Sequence, residues 1–248
     1  MKIFLAIIII NLMFIPDLFS ADWKIKNKWK ISCGIVDKES LVINGKPKTK
    51  YNKKNEFKVN SVLFKLDKGD VGKCSTDKKP VYKFDYSGRQ EITHRLPVGR
   101  TIFETDVYIE GAPQYRSTFF QIHDGRMEGA PPSWIGVGMY WRIKYKYPKG
   151  TCSYANCKEI KKSYLKPDTK YRFKADINYQ KKEGNLSVKY YLNGELIGHH
   201  LNVPLIKKNT DGPYGSSKPY IKIGIYRIGE EGTTSFAYNN LVIKNKKK

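Results

Sequence analysis

The chain has 248 residues, with 46 Lys and Arg against 23 Asp and Glu, a formal charge of +23. So large a cationic excess argues against a partner of like charge and favours a polyanion: nucleic acid, anionic lipid or acidic polysaccharide. Length allows one large domain with a real core rather than a small scaffold held by disulfides alone. Met1-Lys2, the apolar run Ile3 to Ile15 and the segment Pro16 to Ala21 have the order of an export leader, and the apolar run is short for a membrane span. The expectation is a signal peptide over 1–21 and a single domain over 22–248, secreted or periplasmic, monomeric, without a membrane anchor. Export argues against an ordinary nucleic-acid role.

Beyond the leader, short alternating segments separated by turn residues recur and no helical period stands out, so the fold class is all-β. Strands are expected at Ser61 to Leu66, Arg100 to Glu110 (Phe103, Val107 and Ile109 inward), Thr118 to Asp124, Ile135 to Tyr147, Tyr171 to Tyr179, Leu186 to Leu192, Tyr220 to Arg227 and Thr234 to Lys244. Asn193-Gly194 marks a tight hairpin, since both positions tolerate positive φ. Ten or more strands in one domain predict a two-sheet antiparallel jelly-roll sandwich. Asp124 to Ser133 and Lys149 to Lys170 read as long loops, and Lys244 to Lys248 as a frayed basic tail.

Cys33, Cys74, Cys152 and Cys157 are an even set in a chain expected to be exported, where disulfides persist. Of three possible pairings, Cys152 with Cys157 closes a tight loop and leaves Cys33 with Cys74. Zinc is the alternative, but there is no Cys-x-x-Cys or His pair to complete a ligand set. The acids Asp124 and Glu128 leave a structural calcium open, without a recognisable cation loop. No other cofactor is expected.

Two strands carry the chemistry. Alternation puts Tyr220, Lys222, Gly224 and Tyr226 on one face, and Gln121 with His123 on one face of the other. His and Tyr can move protons, while Gln and Lys can offset a carboxylate. The basic ladder Arg142, Lys144 and Lys146 offers either a solvated face or a track for a polyanion. His94 is expected at the surface, and the His199-His200 pair lacks further ligands for a metal. Glu104, Asp106 and Glu110 share a strand face in the manner of a glycosidase acid pair, although the third acid comes late.

Gln121-Ile122-His123, Lys222-Ile223-Gly224-Ile225-Tyr226-Arg227 and Arg89-Gln90-Glu91, in that arrangement over roughly residues 60 to 245, resemble the signatures of the jelly-roll polysaccharide lyases, the group of alginate lyases, glucuronan lyases and heparin lyase I. The resemblance implies β-elimination on a uronic-acid polymer cradled by one sheet, with Tyr226 as catalytic acid and base, His123 as the alternative base, Gln121 and Arg89 on the uronate carboxylate and Lys222 nearby; from the strand faces, Lys222, Tyr220 and the ladder Arg142, Lys144 and Lys146 are expected to bind substrate. Thr93 stands where the alginate-lyase form has a second arginine and Ile228 where it has glutamine, which points from alginate toward the heparin-lyase and glucuronan-lyase side. The rival classes are a lectin-like module that binds without cutting and a jelly-roll hydrolase using Glu104 and Asp106.

Overall fold

The computed structural model describes residues 23–78, 86–110, 117–123, 133–137, 141–145, 160–163, 168–182, 184–205, 218–228 and 232–246. These form two antiparallel sheets. The nine-stranded sheet comprises β1 (Lys24–Ile25), β3 (Leu41–Ile43), β4 (Lys46–Pro47), β6 (Val62–Leu66), β8 (Gly99–Glu110), β13 (Lys170–Gln180), β14 (Asn185–Leu192), β15 (Glu195–Pro204) and β17 (Thr234–Lys246), ordered β15-β14-β13-β8-β17-β6-β3-β4 with β1 beside β17. The eight-stranded sheet comprises β2 (Lys28–Ser32), β5 (Phe57–Lys58), β7 (Ser87–Arg95), β9 (Ser117–His123), β10 (Ser133–Val137), β11 (Trp141–Tyr145), β12 (Ile160–Ser163) and β16 (Tyr220–Ile228), ordered β12-β11-β10-β9-β16-β7-β2-β5. Among the described residues no helix is long and apolar enough to cross a membrane.

The inner faces meet in an aromatic mesh. Phe119 and Phe120 of the eight-stranded sheet pack on Phe173 at 5.1 and 5.2 Å between ring centroids, and Phe120 on Phe103 at 5.3 Å, all fully or almost fully buried. Each such ring stabilises the fold by about 1.5–3 kcal/mol through burial alone. Along β17, Phe236 and Tyr238 face the core. The register then shifts between Asn239 and Val242, where Asn240 has φ 50-odd degrees (51°), so that Leu241 and Ile243 face the core as well. A strict period of two misses this switch; the irregularity re-aims the strand.

The expected strands from Ser61 onward are present, and Asn193-Gly194 makes the hairpin with φ of 51° and 84°. Ile135 to Tyr147 divides into the antiparallel pair β10 and β11. Five short strands before Ser61 escaped the sequence reading, because segments of two to five residues are too short to show a period. Two further expectations are corrected. The Lys149–Lys170 loop contains β12, which pairs along β11. The basic tail is not frayed through Lys246: Lys244, Asn245 and Lys246 pair with Ile102, Thr101 and Arg100, and the buried Asn245 side chain donates to Arg100 O at 3.1 Å. The loop over 124–132, Lys146 and the proposed Cys152–Cys157 bridge lie outside the described residues.

His94 is also corrected, from surface to interior. It lies on the core face of β7, 5% exposed, with its ring 5.3 Å from Trp29, and its Nδ1–H donates to Lys28 O at 2.7 Å. Burial holds its pKa down at about 4 against the usual 6.5. The unfolded chain therefore takes up a proton at this histidine as pH falls through 6.5, while the folded chain resists until about 4, so acid costs stability over that window. We expect a loss approaching about 3 kcal/mol from this group. Denaturant titrations at a series of pH values should show the acid slope flattened between pH 6.5 and 4 in His94→Asn, which keeps a donor for Lys28 O and removes the titration.

Candidate functional site

The site lies on the outer face of the eight-stranded sheet and is ordered in rows by strand register. Tyr220 pairs with His123 on one side and Arg95 on the other; Lys222 pairs with Gln121 and Thr93; Gly224 pairs with Glu91; Tyr226 pairs with Thr118 and Arg89. Trp134 continues the second row beyond Gln121, and Lys144 stands opposite Trp134 in β11. Arg142 pairs with Gly136 in the same strand pair.

At the centre is Glu91, 1% exposed. Its Oε1 accepts from Gln121 Nε2 at 2.6 Å and its Oε2 from Lys222 Nζ at 3.1 Å, with Arg89 Nε 3.8 Å from Oε2. Burial pulls the Lys222 ammonium below its ordinary pKa, against Glu91, which holds its proton on. The second acid is Asp77, fully buried, whose Oδ1 lies 3.0 Å from an Arg89 guanidinium nitrogen. Burial pushes the Asp77 carboxyl up although Arg89 opposes it. Burial works against the Arg89 charge, yet Glu91 and Asp77 outweigh it and hold the guanidinium protonated more firmly than usual. Two acids thus balance two bases.

Asp77 arrives from a loop tied by the Cys33–Cys74 disulfide, which spans 41 residues of sequence. A closure of that length contributes about 4 kcal/mol by restricting the unfolded chain. Asp77 Oδ2 accepts from Cys74 N at 2.9 Å, and Gly72 leaves room for it, since a Cβ there would stand 2.0 Å from Oδ2. The expected bridge is therefore present, and it locates a site residue that the sequence reading missed. Nothing local in Cys-Ser-Thr-Asp advertises a carboxylate that meets Arg89 through the tertiary fold.

The rows separate residues that the sequence reading placed together. His123 and Tyr220 stack with parallel rings, centroids 5.0 Å apart. Tyr226 lies six positions further along β16, about 20 Å away at the usual strand rise, where Arg89 covers its ring at 4.1 Å and hydrogen-bonds its side chain. Between them β16 bulges: Gly224 and Ile225 face the single residue Phe119, and Gly224 takes φ of 140° with no space for a Cβ, which would stand 2.2 Å from Gln90 O. Tyr238, from the opposite sheet, donates its hydroxyl to Phe119 O at 2.8 Å behind this bulge.

Gln121, His123, Lys222 and Tyr220 form one compact group, 3 to 6% exposed. Arg89 is engaged by Asp77, Glu91 and Tyr226. Arg95, exposed and in register with Tyr220, was not foreseen. Arg227 faces the core: its guanidinium donates to Gly232 O at 2.7 Å and Thr234 Oγ1 at 2.9 Å, and also to Asp67 O. Glu104 and Asp106 stand on the other sheet, where Arg172 bridges them at 3.6 and 3.2 Å and Lys170 meets Asp106 at 3.1 Å. Ion pairs thus hold both acids on the sheet opposite the one that carries Gln121 and His123. Among the described residues no three His, Cys, Asp or Glu side chains gather as metal ligands.

The sequence matches no family model and no curated protein. The fold does match solved structures. Alginate lyase A1-II′, a member of polysaccharide lyase family 7, aligns with TM-score 0.55 and 15% identity over 90% of this chain and 96% of that one. A variant of A1-II′ in complex with product (GGG) gives TM-score 0.56 and 13% identity over 88% and 95%. The alginate lyase from Corynebacterium sp. gives 0.50 and 15% over 88% and 93%. At these identities the likeness establishes the architecture: a two-sheet antiparallel jelly roll of the kind these lyases have.

Removing one partner of a buried ion pair leaves the other charge uncompensated and typically costs 3–5 kcal/mol. Asp77→Asn should therefore lower stability by about that amount in denaturant titrations, well above the 1 kcal/mol or less typical of exposed pairs such as Lys65–Asp67.

Proposed function

We propose that this protein is an exported polysaccharide lyase that cleaves a uronic-acid-containing polyanion by β-elimination, with His123 and Tyr220 as its proton-transfer pair. The observation that carries this reading is the stacking of His123 on Tyr220 beside Gln121 and Lys222. His123 takes the proton from C5 of the uronate, the C4–O bond breaks as the C4=C5 bond forms, and the Tyr220 hydroxyl gives a proton to the leaving glycosidic oxygen. The C5 hydrogen is weakly acidic until the adjacent carboxylate is offset, which requires donors already in place. Arg95, which pairs with no carboxylate among the described residues, meets that need from the same row; Gln121 and Lys222, one row away, are held by Glu91. Tyr226 becomes a supporting residue with Arg89. The residue pattern at Thr93 and Ile228, together with the +23 charge, favours a sulfated or densely carboxylated polymer.

The reading is tested by offering the mature chain polyglucuronate, heparin, heparan sulfate, alginate and pectate and following the ultraviolet absorbance of new unsaturated ends. Absorbance growth on at least one polymer is expected; saturated reducing ends would indicate hydrolysis, and binding without products a lectin. Acid-base groups contribute on the order of a hundred- to ten-thousand-fold, so Tyr220→Phe and His123→Ala should each lose at least about a hundredfold in turnover. Tyr226→Phe should retain most of it. The opposite ranking of the two tyrosines would return the proton transfer to Tyr226.

A further inference from the structure

The edge of the eight-stranded sheet furthest from β11 carries a second cationic feature. A hollow of about 460 Å³ lies where the segment after β4 folds against β2 and β5, lined among others by Lys30, Lys48, Lys50, Lys54 and Glu56. Lys30 stands opposite Thr93, which stands opposite Lys222, so it extends the Gln121–Lys222 row. Two strand spacings separate β16 from β2, about 10 Å.

The charge of the hollow is unbalanced. Glu56 is the single acid in its lining and is already met by Lys30 at 4.0 Å. Lys48, Lys50 and Lys54 pair with no carboxylate among the described residues. The loop that bears them is nonetheless shaped: Asn52 Oδ1 accepts from Lys54 N at 2.9 Å and Asn52 O from Asn55 N at 3.2 Å. Tyr51, on the same loop between Lys50 and Asn52, is 41% exposed. The central cluster, by contrast, is internally neutral, with Asp77 and Glu91 set against Arg89 and Lys222. A long polyanion therefore gains its electrostatic hold away from the reacting bond.

We infer that this Lys48–Lys50–Lys54 hollow is a distal subsite for the anionic groups, carboxylate or sulfate, of a polysaccharide chain that runs across the strands from the Tyr220–His123 row. The inference rests on the reading of the protein as one that engages an acidic polysaccharide. It sets length dependence: a short oligosaccharide held at the central rows does not reach the hollow, and a long one does.

The test measures equilibrium binding of labelled oligosaccharides to the Tyr220→Phe chain, in which cleavage is suppressed, with and without Lys48→Glu, Lys50→Glu and Lys54→Glu together. Probes are a long oligoglucuronate, a heparin-derived oligosaccharide of equal length, and the dimer of each. The triple variant should bind the long probes roughly ten- to a hundredfold more weakly, with a shallower salt dependence, and the dimers unchanged. Which long probe loses more identifies carboxylate or sulfate as the group held. Unchanged affinity for both long probes, equal losses for dimers, or no binding of either polymer to the parent chain would overturn the subsite. So would an equal loss for a DNA oligonucleotide of matched charge, which would mark a site for any polyanion. If the Glu variant fails to fold, Lys→Gln at the same three positions decides by the same readings. Elimination products from the wild-type chain with unaltered binding in the triple variant sink the subsite and leave the lyase; lost binding without any products from wild type does the reverse.

Discussion

The Glu91 carboxylate is the constraint on which the rest of the site depends. It sits in the middle of β7, and its two oxygens gather Gln121 from β9 and Lys222 from β16, so one buried acid joins three adjacent strands by their side chains as well as by their ladders. A buried carboxylate needs such company, because the cost of removing a charge from water is recovered only when partners satisfy it. The same requirement explains why Arg89 and Asp77 follow. Arg89 adds a second cation near Glu91, and Asp77 supplies the acid that balances it.

A consequence is that the centre of the site is neutral while its surroundings are strongly basic. The cations most suggestive in sequence, Arg89 and Lys222, are occupied by their own acids. The cations that pair with no carboxylate among the described residues stand at the periphery, Arg95 at one end of the Tyr220 row and Lys48, Lys50 and Lys54 beyond β2. For the proposed acidic polysaccharide such a division suits a long chain, since exposed charges steer and hold in a way that weakens with salt while buried, paired groups stay in a fixed arrangement.

The bulge in β16 ties this arrangement to the core. Two residues of β16 oppose Phe119 of β9, which interrupts the ladder, and the Tyr238 hydroxyl crosses from the other sheet to Phe119 O. Gly224 is required there because the backbone of Gln90 and Glu91 passes where a side chain would stand. The distance between the Tyr220 row and the Tyr226 row is thereby set by the sandwich as a whole.

Alternation in the sequence determined the all-β class, the faces of β9 and β16 and the grouping of Gln121, His123, Lys222 and Tyr220, because period two is a local property of an extended backbone. The Asn193-Gly194 hairpin was legible for the same reason, and the pairing of Cys33 with Cys74 followed from the cysteine count together with a preference for the close pair. Register is not local. Only the pairing of β9 with β16 decided that His123 faces Tyr220 and that Tyr226 lies about 20 Å away, since a signature read as a string gives no cross-strand alignment. Asp77, brought to Arg89 by a disulfide-tied loop, and His94, turned inward by its parity on β7, were likewise decided by tertiary structure, because burial and counter-charges are supplied by residues far off in the chain.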